Sequence, residues 1–237
     1  MPKKKHAQTI QLIVNADDFG AHSSDNAAIL ESIQKKIVTS TSLLVRGSYA
    51  HEVTKLVDYP NISIGLHLSM TEDGKRKWIS LLKLFFVPHD VLERDFFEQI
   101  DRFHQLVGRE PDHIDGHHHV HKHPKLRRMV KQYSQQHDIP LRADNHAKLI
   151  YRFIGWSFLR GYKTKKLSVN YLTGIIDNLP SGTYELMCHL GYGDNHDNTI
   201  QSLEPQKHKG LQILLSEDFA SFLARNPQID LISWRDV

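Results

Sequence analysis

Short β-branched runs alternate with longer segments of helical period along most of this chain, and that alternation admits few folds. Ile10 to Val14 reads as a first strand, followed by the polar turn Asn15-Ala16-Asp17-Asp18-Phe19-Gly20. Ser24 to Lys36 reads as a helix, with Ile29, Ile33 and Ile37 spaced at i, i+4 and Ser23, Ser24 or Asp25 available as a cap. Thr41 to Val45 and Ile62 to Leu68 are the next strands. Asp90 to Val107 is the clearest helix: Leu92, Phe96, Ile100, Phe103 and Val107 form one stripe, Asp90 with Glu93 resembles a capping box, and Gly108 ends it. His113 to Asp115 is a short strand, and Pro124 to His137 a helix opened by proline and stopped before Pro140. Leu141 to Ala143, Leu167 to Val169, Tyr184 to Cys188 and Ile229 to Ser233 read as further strands, with a helix at Ser216 to Arg225 between the last two.

Strands separated by helices imply an α/β fold, a parallel sheet with helices packed outside it. Seven or eight such strands in 237 residues fit a closed barrel, near the roughly 250 residues typical of that fold, with an open doubly wound sheet as the alternative. One domain over residues 1–237 is expected, with residues 1–8 a disordered basic N-terminus. The formal charge of +3 is too small to argue for nucleic acid as a partner. A single cysteine, Cys188, excludes an intramolecular disulfide framework and cysteine-rich zinc modules. No run approaches the roughly 20 apolar residues of an integral membrane segment, and no apolar signal region follows Met1 to Lys5, so a cytoplasmic location is expected.

In either architecture chemistry belongs at the carboxyl ends of the strands. Asp17 and Asp18 lie just after the first strand, His67 at the end of the third, and Asp115, His117, His119 and His121 after the strand at His113. Arg142 follows the next strand and His189 follows Tyr184 to Cys188. Adjacent aspartates on an extended backbone point to different sides, so one could hold a cation while the other accepts a proton; an Asp-rich turn or helix cap is the plainer reading. His67 alone is as well explained by a hydrogen-bonded structural role. The run Asp115-Gly-His-His-His-Val-His-Lys-His123 differs in kind, because few structural needs call for four histidines in five residues. Imidazoles suit zinc, cobalt, nickel, copper or iron, and a nearby carboxylate widens the choice to manganese and magnesium. On an extended chain His117, His119 and His121 would share one side and His118 the other. A second constellation mixes basic and aromatic residues from Lys148 to Lys166. It reads best as an amphipathic helix with a solvated basic face, against a nucleic-acid clamp, a membrane surface or a sugar platform.

Three motifs in order resemble the YdjC/ChbG-like carbohydrate deacetylases: Val14-Asn15-Ala16-Asp17-Asp18-Phe19-Gly20, Gly65-Leu66-His67-Leu68, and His113-Ile114-Asp115-Gly116-His117-His118-His119-Val120-His121. The resemblance implies a deformed (β/α) TIM-like barrel, related in mechanism to NodB-type polysaccharide deacetylases. It also implies metal-dependent removal of acetyl groups from N-acetylated sugars such as chitooligosaccharides. By the same resemblance Asp18, His67 and His117 are the metal ligands, Asp17 the general base, Arg142 the arginine that orients it and His189 the general acid. Asp115, His119 and His121 then support the ligands or face the substrate. One divalent ion is implied, magnesium by family, with zinc, manganese or cobalt as alternatives. The expected partners are an acetylated sugar or oligosaccharide and a second copy of the chain in a homodimer. Members commonly carry proline after Met-Cys-His, where this chain has Leu190, and Glu72 to His89 is shorter than in the chitooligosaccharide enzymes.

Two other classes compete. An O-acetyl esterase or an amidase on a lipid-linked sugar would use the same scaffold, with the Lys148 to Lys166 segment meeting the lipid. A non-catalytic metal- or sugar-binding protein would need Asp18, His67 and His117 but have no use for Asp17 or His189.

Overall fold

The structure, a computed structural model, describes residues 9–70, 83–150, 156–157, 161–162, 167–192 and 204–237. The expected basic N-terminus and most of the segment from Glu72 to His89 lie outside the described residues.

A parallel sheet is built around β1 (Ile10–Phe19), with β2 (Ser40–Leu43), β3 (Ser63–Leu68) and β4 (Ile114–Gly116) following on one side. The short β5 (Lys148–Leu149) comes next in the chain, and the two-residue strands β6 (Trp156–Ser157) and β7 (Gly161–Tyr162) pair antiparallel apart from the main sheet. On the other side of β1 lies β8 (Gly182–Cys188), which pairs in turn with β5. β9 (Ile229–Ile232) pairs with Ile10 to Ile13, below the stretch of β1 that pairs with β2. Ile114 of β4 forms one further parallel bridge to Leu141. Leu141 therefore extends one edge of the sheet, and a few residues later β5 joins the other. That short return requires the sheet to curl. The fold is a deformed TIM-like (β/α) half-barrel, the deformed barrel that the resemblance implies; among the described residues it does not close as the strand count alone would suggest.

Helices cover its outside: α1 (Ser23–Gln34), α2 (His89–Val107), α3 (Pro124–Gln136), α4 (Val169–Asp177), α5 (Glu204–Leu214) and α6 (Glu217–Arg225). On α2 the buried stripe is Leu92, Phe96, Ile100 and Phe103, and Gly108 closes the helix at φ 79°, a left-handed value that suits glycine. Along β1 the period of two sorts the side chains. Leu12, Val14 and Ala16 join the large core under the helices, whereas Ile13 packs with Ala147, Ile232 and Trp234 inside the barrel. Trp234, fully buried, thus plugs the amino-terminal end, held by a Ser233/Asp236 capping box. Above that plug the interior turns polar.

Several elements of the structure differ from the expectations above. β1 runs through to Phe19, so Asn15 to Phe19 are strand and not turn. α2 begins at His89 after Pro88, with no capping box at Asp90. Leu167 to Val169 is not a strand: Ser168 caps α4 by accepting from Tyr171 N, so the hydroxyl sets the start of a helix there. The described parts of Lys148 to Lys166 are strands β5, β6 and β7 and not an amphipathic helix. Among the described residues no helix is long and apolar enough to cross a membrane.

Candidate metal centre and active site

Asp17 and Asp18 diverge because the sheet register slips beneath them. Ala16 pairs with Thr41 but Phe19 with Leu43, so three steps on β1 match two on β2, a bulge. Asp18 takes a left-handed φ of 69°, which aspartate tolerates better than most residues. Asp17 is thereby turned into the barrel and Asp18 toward its carboxyl-terminal rim.

Asp18 Oδ1 lies 3.0 Å from His117 Nδ1 and 3.3 Å from His67 Nε2. His117 arrives from just beyond β4, where His118 and His119 adopt left-handed φ values of 53° and 57° and kink the chain between two short helical turns in His117–Lys122. The extended alternation expected for the cluster is therefore absent. His118 is exposed, His121 is buried, and no partner for either His121 ring nitrogen occurs among the described residues. The His119 and His121 rings stand 5.9 Å apart, and burial pushes the His119 imidazole down to about 4, reinforced by Arg142 and Lys122. His189, half-buried at the end of β8, brings Nε2 to 3.7 Å from Asp18 Oδ2.

Beneath this rim the polar groups are sealed. His67 and Asp115 are register neighbours on β3 and β4, and His67 Nδ1 lies 2.6 Å from Asp115 Oδ1. The other Asp115 oxygen accepts from Ser42 Oγ at 2.6 Å. Arg142, 1% exposed, donates through Nη1 and Nη2 to the two oxygens of Asp17 at 2.8 and 2.6 Å, and Asn15 Nδ2 adds a third bond to Asp17 at 2.8 Å. Its Nε donates to Glu185 at 2.8 Å, and Nη2 lies 2.7 Å from Asp115 Oδ2. Three carboxylates thus surround one guanidinium. Burial pushes the Glu185 carboxyl up to about 7, against the pull of Arg142. Burial would lower the His67 imidazole, but Asp115 first and then Asp18 hold it well above its ordinary range. Asp18 shows the complement: burial raises its carboxyl, and the His117 and His67 imidazoles bring it well below the usual range.

This donor set fits a divalent cation. One oxygen and two imidazole nitrogens lie within 4.8 Å of one another. His67 Nδ1 is committed to Asp115, so Nε2 is the nitrogen that would face a cation shared with Asp18 once that cation takes the place of its proton. Without an ion, imidazole protons hold these three donors together; a divalent cation would replace those protons at the same place.

The structure brings together Asp17, Asp18, His67, His117, Arg142 and His189, with Asp115 behind His67. Sequence reasoning missed Asn15, Ser42, His113 and Glu185. A signal was present: Asn15 is two residues before Asp17 and Glu185 four before His189, so period two puts each pair on one face.

The family model for YdjC-like proteins matches residues 11–225, nine-tenths of the chain. This protein belongs to the YdjC-like family. Among solved structures it resembles a protein of Enterococcus faecalis V583, a candidate for cellobiose-phosphate cleavage, at 22% identity and a TM-score of 0.75, covering 96% of this chain and 98% of the other. The family 4 carbohydrate esterase of Streptomyces lividans, in complex with acetate, shares the fold at 12% identity, a TM-score of 0.54 and coverage of 93% and 91%. A Bacillus subtilis peptidoglycan deacetylase aligns at 12% identity and a TM-score of 0.50, over 95% and 88% of the two chains. These likenesses show that the YdjC-like fold extends to distant esterase-type barrels.

Proposed function

We propose that this YdjC-like protein is a carbohydrate deacetylase that hydrolyses the acetyl group from N-acetylated sugars with one divalent metal ion. The observation that carries the reading is the meeting of Asp18, His67 and His117 at the rim, directly above an Asp17 clamped by Arg142. Membership of the YdjC-like family and the deacetylase and esterase folds among its structural relatives support it.

Hydrolysing an amide requires an activated water, charge stabilisation on the carbonyl oxygen and a protonated leaving amine. Asp18, His67 and His117 would hold a divalent ion, which would supply Lewis acidity and a lower pKa for water at that place. Asp17 accepts the water's proton on a carboxylate oxygen. Arg142 and Asn15 fix both of its oxygens, so the base cannot rotate away. His189 lies near the second oxygen of Asp18, Oδ2, and delivers a proton to the departing nitrogen. Asp115 keeps His67 in one tautomer and orientation. Imidazole donors favour zinc or cobalt and the carboxylate admits magnesium or manganese, so magnesium rests on family likeness alone. A purely metal-binding role leaves the Arg142 clamp on Asp17 without purpose.

Free acetate released from a panel of N- and O-acetylated sugars, by protein loaded with each metal in turn and by chelator-stripped protein, tests the reading. Acetate released only by loaded protein and only from N-acetyl substrates is expected. Equal release by the stripped protein removes the metal from the scheme, and release from none of the sugars removes the activity.

A further inference from the structure

Glu185 is a fully buried acid on β8 that the scheme above leaves without a role. Its side chain faces the barrel interior, where Oε1 and Oε2 accept from Arg142 Nε at 2.8 and 3.1 Å and Oε1 lies 2.6 Å from Nη2. Glu185 thus occupies the side edge of the guanidinium, Nε and Nη2, while Asp17 occupies the end edge, Nη1 and Nη2. A guanidinium is planar and its donors form a rigid fork, so holding one edge fixes the roll of the other. We infer that Glu185 is the positioning residue for Asp17, acting through Arg142: it sets the roll of the guanidinium so that both Asp17 oxygens are gripped.

The competition at Nη2 makes such a device necessary. Oxygens of Asp17, Asp115 and Glu185 lie 2.6, 2.7 and 2.6 Å from that one nitrogen, which carries only two hydrogens. Asp115 has other anchors in Ser42 and His67, so nothing in its own bonding keeps the guanidinium from rolling toward it. The Nε bond to Glu185 is the contact that decides. Position, and not charge, is what this role needs. A protonated Glu185, which burial favours up to about pH 7, still accepts from Nε through its carbonyl oxygen.

What Asp17 does rests on the deacetylase reading; the grip on Asp17 does not. Two variants separate position from charge. Glu185→Gln keeps the acceptor in place without the charge, and Glu185→Asp keeps the charge but withdraws the acceptor by one methylene. In full-length metal-loaded protein acting on an N-acetylated sugar, E185Q is expected to lose about threefold in kcat. E185D is expected to lose about 10²-fold, with KM and bound metal within twofold of the parent, as for other misplacements near 1 Å. Crystal structures of both variants give a readout without turnover: both Arg142–Asp17 contacts persist in E185Q, and at least one opens beyond 3.5 Å in E185D. If the parent releases no acetate, the deacetylase reading falls and these contacts alone decide. A loss in E185Q as large as in E185D, or an intact grip in E185D, overturns the positioning role.

Discussion

His67 and Asp115, side by side in the register of β3 and β4, share a 2.6 Å bond that commits one ring nitrogen and leaves the other facing Asp18. The same carboxylate is tied to Ser42 and lies beside Arg142, so the proposed ligand His67 and the proposed base Asp17 lean on one buried group. Asp115→Asn keeps an oxygen in place but removes the charge that makes the His67 ring a stronger donor. Metal affinity should fall by roughly 10- to 100-fold with the fold intact. Titration of apo protein with zinc or manganese checks this, and parental affinity in the variant would deny Asp115 any influence on the ligand.

Asp17→Asn should preserve fold and metal content while removing nearly all turnover. Asparagine keeps the size and one acceptor for Arg142 but has no basicity with which to take a proton. A drop of about 10²- to 10⁴-fold in kcat is expected for a lost general base. Acetate release and metal content measured on one preparation decide the matter, since deacetylation at the parental rate would give the water's proton to another group.

Which parts of this were legible beforehand follows from the range of the interactions. Helix α2 could be read because its stripe and the glycine after it are local. Asp17, Asp18, His67 and His117 could be read because ionisable groups at the ends of apolar strands are conspicuous. Leu167-Ser168-Val169 is too short to carry a period, and the Ser168 cap is what marks the helix that begins at Val169. The bulge at Asp17–Asp18 and the left-handed turn at His118–His119 are set by tertiary contacts, so the simple alternation drawn through the histidine cluster failed there. Glu185 looked like any strand residue, because its partner Arg142 is 43 positions away.

Gly65 is a packing requirement and should not tolerate alanine. A Cβ there would stand 2.3 Å from His113 Cε1. The ring cannot yield, for it is fully buried, stacks on Trp234 at 5.1 Å and 19°, and lies 3.1 Å from Ser42 Oγ. Overpacking of this kind costs about 1–3 kcal/mol. Gly65→Ala should therefore lower Tm by roughly 2–12 °C for a chain of this size. In α4, Gly174→Ala meets nothing within 4 Å and should be neutral or gain about 0.5–1 kcal/mol from helix propensity. Calorimetry on both proteins tests the pair, and an equally stable Gly65→Ala would mean that His113 is free to move.

Acid should unfasten the C-terminal plug. Asp112 accepts from Ile64 N at 2.7 Å and Arg109 Nη2 at 2.8 Å, and lies 2.9 Å from Arg235 Nε in the turn that carries Trp234. Burial raises its carboxyl, but Arg109, Arg235 and the Ile64 amide bring it below the ordinary value. A folded pKa below the unfolded one means the stabilisation is complete above about pH 4 and fades as pH falls through the folded pKa. Asp112→Asn should cost about 1–2 kcal/mol at pH 7, a range reduced because both arginines are partly exposed. The gap to the parent should close below pH 4. Denaturant titrations at pH 7 and pH 3 measure it, and a gap of equal size at both would mean the charge contributes nothing.

The proposed acid, His189, is best tested by changing what it must protonate. It reaches the site from the end of β8 with Nε2 3.7 Å from Asp18 Oδ2, while Leu190 is buried behind it. At Gly191 a Cβ would collide with Asp25 Oδ1, which packs the turn after His189 against α1. Among the described residues the imidazole makes no hydrogen bond of its own, so its neighbours along the turn hold it in place. An amine leaves poorly unless a proton arrives as the C–N bond breaks, whereas the oxygen of an activated acetyl ester leaves with little help. His189→Ala should leave metal content intact and lower kcat on an N-acetylated sugar by about 10²-fold or more. On the activated ester the same variant should lose less than about tenfold, because Asp17 and the ligands that serve the attacking water are untouched. Kinetics of the parent and the variant on both substrates, with metal measured on each sample, make the comparison. Equal losses on amide and ester would deny His189 the role of proton donor and leave it a wall of the site.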